Sequence, residues 1–333
     1  MTQAARPRPD AAHTRVSVVA PCFDEEEGLP ALRARLTAVL DGLDCPWELV
    51  LVDDGSRDGT LALMRAFAAE DPRIKAVGLS RNFGHQVAAT AGLDHATGDA
   101  VILIDADLQD PPELIPRMLD LWREGWDVVY AQRRSRVGET AFKRWTAQAF
   151  YRVLRSLTQV HIPLDTGDFR LMDRQVVDAL HQLPERHRFL RGLVSWVGFR
   201  QTGLVFDRAE RFAGTTKYPL RKMLSFALDG ITGFSFVPLQ VASWLGVWVS
   251  ILAFLAICWV LWETLVMHGT VPGWASLMVA ILFIGGVQLL TIGLIGEYIG
   301  RILDEVRQRP LYLVRERHNL ASEANAPREA GRP

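Results

Sequence analysis

Cysteine is scarce in this chain, and what is present does not pair. Cys22, Cys45 and Cys258 are odd in number and show no CxxC spacing. That argues against a disulfide framework or a zinc site and fits a reducing compartment for the soluble part. Net charge is missing as well: 37 Lys and Arg against 38 Asp and Glu leave −1, so no overall basic field points to nucleic acid. No internal repeat is visible. Residues 1–14 are rich in Pro, Ala and Arg without an apolar core, which predicts a disordered tail rather than a signal peptide. His85 and His187 have no second ligand three or four residues away, and His95 has only Asp99; capping or surface roles are expected for all three.

A different absence organises the C-terminal third. Residues 234–262 hold no charged side chain, and residues 264–296 form a second uncharged run, broken only by the polar turn at 268–273. About 20 apolar residues cross the hydrocarbon core as a helix, so two transmembrane helices joined as a hairpin are expected. Arg208, Arg211, Lys217, Arg221 and Lys222 precede the first run, Arg301, Arg307, Arg309, Arg315 and Arg317 follow the second, and the connecting turn has no Lys or Arg. The positive-inside rule then puts both termini in the cytoplasm. Trp244, Trp248, Trp259, Trp262 and Trp274 are interface-anchor candidates. The expected divisions are a tail at 1–14, a soluble domain at 15–207, a basic juxtamembrane segment at 208–232 with an amphipathic helix over 221–231, the hairpin at 233–300, and a tail at 301–333, disordered towards its end.

The soluble part alternates short apolar runs with helical periodicity. Strands are predicted at 16–20, 48–52, 74–79, 101–104 and 128–132, and helices at 29–43, 58–69 (with Asp58 as N-cap), 86–96 and 113–124. This alternation implies an α/β fold, a mostly parallel sheet covered on both faces. Beyond it, 140–158 reads as helix, 164–174 as a loop entering a strand, 176–183 and 187–197 as helices, and 199–206 as a strand.

Acids sit where those strands end: Asp24 and Glu25, Asp53 and Asp54, Asp105 and Asp107. Parallel wiring brings these ends to one edge, where open α/β sheets bind ligands. Each acid alone reads as a cap or turn residue. Together they suit a nucleotide: carboxylates accept from a base N–H and ribose hydroxyls, and two hard oxygen donors hold a divalent cation that also grips a diphosphate.

The stretches VSVVAPCFDEEEGL, VDDGSRDGT, RNFGHQVAATAGLDHATGD and DADLQDPPE, in this order, resemble the family-2 glycosyltransferases of GT-A (Rossmann-like) fold. LDTGDFRLMDR, ERFAGTTKYPLRKM and the two apolar spans narrow the resemblance to polyprenyl-phosphate glycosyltransferases of the GtrB-like and dolichol-phosphate-mannose-synthase-like branch, over residues 14–309. The resemblance implies that Pro21, Phe23, Glu25, Val52 and Asp54 hold the nucleotide. Asp105 and Ala106 would contact the nucleoside. Asp107, with Asp105 and Gln109, would bind Mg²⁺ or Mn²⁺. Arg133, Arg211 and Lys217 would face the donor and lipid phosphates, and Asp165, Asp168 and Arg170 would line the acceptor or sugar pocket. Asp107, Arg133 and Lys217 are then the catalytic candidates. Phe23-Asp24 stands where the family often has Tyr-Asn, and Asp168 where relatives have Ser.

The implied reaction is inverting transfer of a sugar from a nucleotide sugar to polyprenyl phosphate, with UDP-glucose as first choice and GDP-mannose or a UDP-amino or arabinose sugar as alternatives. Its partners are the nucleotide sugar, the lipid and the membrane, in a homo-oligomer that the family often builds as a tetramer. A processive polysaccharide synthase is the rival enzyme, but its QxxRW motif is lacking because Ala141 precedes Arg144-Trp145. An inactive sugar-nucleotide sensor is the non-enzymatic rival.

Overall fold

The first five apolar runs each become a strand. In the computed structural model, which describes residues 8, 14–133, 166–186, 188–206, 237–265 and 273–320, β1 (Val16–Cys22), β2 (Trp47–Asp53), β3 (Ile74–Leu79), β4 (Ala100–Leu103) and β5 (Val128–Arg133) are separated by α1 (Leu29–Asp41), α2 (Thr60–Glu70), α3 (His85–His95) and α4 (Ile115–Arg123). Then come β6 (Thr166–Asp173), α5 (Arg174–His181), α6 (Leu190–Trp196) and β7 (Gln201–Phe206). Two long helices, α7 (Val237–Leu265) and α8 (Trp274–Val306), precede the last strand, β8 (Val314–His318).

All eight strands join one sheet in the order β7-β5-β6-β4-β1-β2-β3-β8. β1 is parallel to both β2 and β4, β2 to β3, and β5 to β7. Every residue of β1 and β2 is buried, because helices cover both faces and leave no polar side for the strands to alternate with. One face packs Val18, Leu49 and Ile102 against Leu29, Leu32, Leu36 and Leu40 of α1, Met64 and Phe67 of α2, and Ile115, Met118 and Trp122 of α4. Truncating one of these leucines to Ala would cost about 2–5 kcal/mol. On the other face α3 lies against β1 so closely that a Cβ at Gly92 would collide with the Val19 side chain.

Three sequence expectations need correction; a fourth, the strand within 164–174, holds, and its neighbours set its direction. The strand expected within 164–174 is β6, and it runs antiparallel between β4 and β5, so those two do not pair directly. The tail expected after residue 301 begins as the last turns of α8. It then adds β8 antiparallel to β3, within the same compact unit as the N-terminal sheet. β8 is a polar edge strand, VRERH, so no hydrophobic period marked it; Arg65 pairs with Glu316 at 2.6 Å and Asn319 donates to the Ile74 carbonyl at 2.9 Å. Within the expected N-terminal tail, Arg8 is buried between Asp127 and Asp173 and lies over the Trp122 ring at 5.0 Å. Buried charge of both signs holds it, which apolar patterning does not report. At α2, Gly59 takes the N-cap position, and Asp58 one residue earlier accepts from the Thr60 N–H at 3.0 Å.

The second unit holds α7 and α8. The second helix outruns its uncharged stretch by ten residues, ending at Val306 rather than Gly296. Phe283–Val306 is long and apolar enough to cross a membrane, the one such window among the described residues. Trp244, Trp248, Trp259 and Trp262 of α7 and Leu289 and Ile292 of α8 are exposed, an apolar surface that calls for a lipid or protein environment. The helix expected at 140–158, the amphipathic helix at 221–231 and all but Gly273 of the connecting turn expected at 268–273 lie outside the described residues.

Candidate active site

Parallel pairing does bring the acid-bearing strand ends to one edge: Cys22 lies opposite Asp53, and the Ile104 N–H donates to the Val19 carbonyl at 3.0 Å. The acids there have different employment. Asp24, in the left-handed region at φ 53°, accepts from the Arg57 N–H at 2.8 Å. Asp53 accepts from the Ser56 N–H at 3.1 Å. Asp54 accepts from the Phe83 and Gly84 N–H groups at 2.7 and 2.9 Å. Burial pushes the Asp53 and Asp54 carboxyls up, against the pull of those bonds. These carboxylates stitch the β1–α1, β2–α2 and β3–α3 loops together. Gly84 takes φ +100° and a Cβ there would meet nothing within 4 Å; conformation rather than space requires glycine at this turn.

Pro21 and Val52 are opposite one another in β1 and β2, both buried. Phe23 beyond them is 38 % exposed, and the Glu25 N–H donates to Thr60 Oγ1 at 2.9 Å. This end of the edge therefore offers a ligand strand backbone, an exposed ring and one partly exposed acid.

The β4 end is different. Leu103 pairs with Arg170 across the antiparallel β4/β6 junction, and two residues further along that register Asp105 faces Asp168. His85, the first residue of α3, sits over the two, with Nε2 3.3 Å from Asp105 Oδ1 and 3.2 Å from Asp168 Oδ2. The Asp105 contact is an ion-pair approach without hydrogen-bond geometry, and that oxygen is otherwise buried with no hydrogen-bond partner. Burial opposes a charged imidazole, but Asp105 and Asp168 outweigh it and raise the His85 pKa to about 10. Asp168 is 2 % exposed. Its Oδ1 accepts from Arg191 Nε at 2.7 Å and its Oδ2 from Gln86 Nε2 at 3.1 Å. Burial alone would raise this carboxyl; Arg191, His85 and Arg170 reverse the effect and hold it well below the usual carboxylate range. Arg170 is 4 % exposed and its Nη2 donates to the Gly167 carbonyl at 3.0 Å. Burial lowers its pKa to about 10, so it remains a cation at neutral pH.

Ligand atoms of His85, Asp105 and Asp168 all lie within 4.8 Å of one another, a group that could hold a metal ion. A protonated His85 is no ligand, so the same three residues serve either as an ion-paired triad or, with the imidazole neutral, as part of a cation site. Beyond Asp105, Ala106 is 5 % exposed and Asp107 Oδ1 accepts from the Gln109 N–H at 3.1 Å. Gln109 Oε1 is buried without a hydrogen-bond partner. Two unanswered oxygens, on Asp105 and Gln109, are what a hard cation takes up.

Of the residues expected from sequence, the structure thus brings Asp105, Asp168 and Arg170 together. Arg133 ends β5 opposite Phe206, its side chain outside the described residues; Asp165, Arg211, Lys217 and His187 also lie outside them. His85 lies at the surface, as the sequence predicts, being the exposed first residue of α3, and it is also a member of the cluster, as are Gln86 and Arg191. Their partners come from β4 and β6, so spacing along their own helices carries no trace of the contact. The available signal was topological: in a parallel unit the start of α3 lies on the same edge as the end of β4. His95 is buried, with Nδ1 2.7 Å from the Ala91 carbonyl oxygen.

Comparison with known proteins agrees with this architecture. The model of glycosyl transferase family 2 matches residues 17–180, and that of the GtrB C-terminal hairpin matches residues 237–302. An uncharacterized glycosyltransferase of Synechocystis is 54 % identical over 90 % of this chain and 94 % of its own length. A prophage-derived bactoprenol glucosyl transferase of Shigella flexneri is 43 % identical over 91 % and 98 %. A solved mannosyl-3-phosphoglycerate synthase from Rubrobacter xylanophilus aligns at TM-score 0.46 and 18 % identity, over 66 % of this chain and 72 % of that one. The chain belongs to the family-2 glycosyl transferases that carry a GtrB C-terminal hairpin.

Proposed function

We propose that the protein transfers glucose from UDP-glucose to undecaprenyl phosphate or a related polyprenyl phosphate, with inversion, making a lipid-linked monosaccharide. The observation that carries this is the 43 % identity to a bactoprenol glucosyl transferase across nearly the whole of both chains. The arrangement of the sheet edge supports it. The β1 and β2 ends, with Pro21, Phe23, Glu25, Val52 and Asp54, receive the nucleoside. The β4 end, with Asp105, Ala106 and Asp107, receives the diphosphate.

A divalent cation fits here, because Asp105 and Gln109 each present a buried oxygen without a hydrogen bond. Asp105, Asp107 and Gln109 would hold it, as Mg²⁺ or Mn²⁺, and it would supply Lewis-acid stabilisation of the departing diphosphate. The acceptor phosphate is already an anion at neutral pH and needs no strong general base. Asp168 matches that requirement: it stays charged, with both oxygens bound by the protein, and orders His85, Gln86 and Arg191 around the cleft. Arg133, Arg211 and Lys217 offset the repulsion between the two anionic substrates, with Asp165 lining the acceptor side. The hairpin makes the protein multi-pass in the cytoplasmic membrane, its sheet domain on the cytoplasmic side by the distribution of basic residues, in a homo-oligomer.

The test is a donor screen. Membranes containing the full chain are given undecaprenyl phosphate with UDP-glucose, UDP-galactose, UDP-GlcNAc or GDP-mannose, and the glycolipid product is weighed by mass spectrometry. A hexosyl product formed from UDP-glucose, with UDP released only when the lipid is present, is the expected result. Sugar–sugar polymer instead, or no product from any donor, overturns the proposal.

A further inference from the structure

His85 is held from one side only. Its Nε2 faces the two carboxylates, whereas among the described residues nothing bonds to Nδ1, and the side chain is 42 % exposed. The ring is therefore oriented by Asp105 and Asp168 through Nε2, and among the described residues Nδ1 is left for a ligand.

Strand order says what part of a ligand reaches that nitrogen. Along the edge the sequence is β2, β1, β4, β6. With the nucleoside at β2 and β1 and the diphosphate at β4, the next group along the donor, over the β4/β6 junction where His85 lies, is the hexose. What a hexose presents to the ring there is an uncharged hydroxyl. A hydroxyl also suits the ring in either protonation state, because it donates to a bare Nδ1 and accepts from Nδ1–H.

We propose that His85 is a specificity-determining residue for the donor, with Nδ1 hydrogen-bonded to a hydroxyl of the transferred hexose. This rests on the nucleotide-sugar reading of the site and assigns a residue to the sugar that the reading leaves without one. The two nitrogens can be tested separately. A Gln amide reaches about where Nε2 lies and preserves a donor to the carboxylates while removing Nδ1. An Asn amide reaches about where Nδ1 lies and gives up the tie to the carboxylates.

The experiment measures dissociation constants of UDP and UDP-glucose, with Mn²⁺ present, for the full-length wild type, His85→Gln and His85→Asn in detergent, and repeats them with GDP and GDP-mannose. UDP carries no hexose, so it reports folding and the nucleotide end alone. In His85→Gln the ratio of the UDP-glucose to the UDP dissociation constant should rise about tenfold, the size of one lost hydrogen bond. UDP binding should stay within about twofold, and His85→Asn should keep most of the wild-type ratio. An unchanged ratio in His85→Gln, equal weakening of UDP and UDP-glucose, or a larger loss in His85→Asn than in His85→Gln overturns the assignment. A wild type that binds none of the four probes overturns the donor reading and the assignment together. One that shows the ratio effect yet forms no glycolipid overturns the lipid acceptor alone.

Discussion

The two halves of the catalytic edge carry the same kind of residue and use it in opposite ways. At the β1 and β2 ends, Asp24, Asp53 and Asp54 accept from backbone N–H groups and fix loops. At the β4 and β6 ends, Asp105 and Asp168 face ionisable side chains, and one oxygen of Asp105 has no hydrogen bond at all. A carboxylate already bound by main-chain N–H groups has less capacity left for a ligand. One left short of hydrogen bonds, as Asp105 is, has more. Sequence spacing alone does not separate the two.

The contrast can be broken by substitution. The largest effect is expected at the β4 end: Asp107→Ala should lower metal-dependent transfer by about a thousandfold or more, with the thermal midpoint of the full chain unchanged. Near-wild-type turnover in that variant would remove the cation from the scheme. Asp168→Ala should cost about 3–5 kcal/mol of stability, because buried Arg170 loses its nearest carboxylate; denaturant unfolding measures it. The pH dependence has a definite sign. The folded Asp168 pKa lies well below the ordinary value of about 4. Its stabilisation is thus complete above that value and is lost as pH falls through and below it. Asp168→Asn should flatten the acid limb of unfolding midpoint against pH.

Smaller effects are expected on the loop-holding side. Asp54→Ala strands two N–H groups and should cost about 2 kcal/mol, read as a drop in unfolding midpoint. Gly84→Ala creates no clash but forces a side chain into φ +100°, for about 1–2 kcal/mol. If Asp54→Ala left stability untouched while abolishing turnover, the division between the two halves would be wrong. The smallest change is Tyr312→Phe, which removes the 2.8 Å bond to Asp94 Oδ2 at the far end of α3 and should cost about 1 kcal/mol.

Much of this was legible in the sequence. The five parallel-type runs, the helices between them and the acid-bearing edge follow from periodicity and turn residues. Asp105 could be singled out because an apolar run delivers it directly to that edge. What escaped depends on partners distant in sequence. His85 meets residues 20 and 83 positions away. β6 enters antiparallel because its place is set by β4 and β5 rather than by its own pattern. Arg8 is held by acids more than a hundred residues on. β8 carries charge at three of its five positions, since an edge strand needs only backbone to pair.

That last strand has a consequence for how the protein is made. β3 lies at the rim until residues 314–318 arrive, and on the ribosome these are synthesised after both hydrophobic helices. The sheet made before them therefore keeps a bare margin along β3 until both helices have been synthesised. A fragment cut before α7 would keep Asp105 and Asp168 and still lack its own selvedge, leaving β3 ready to pair with the next molecule.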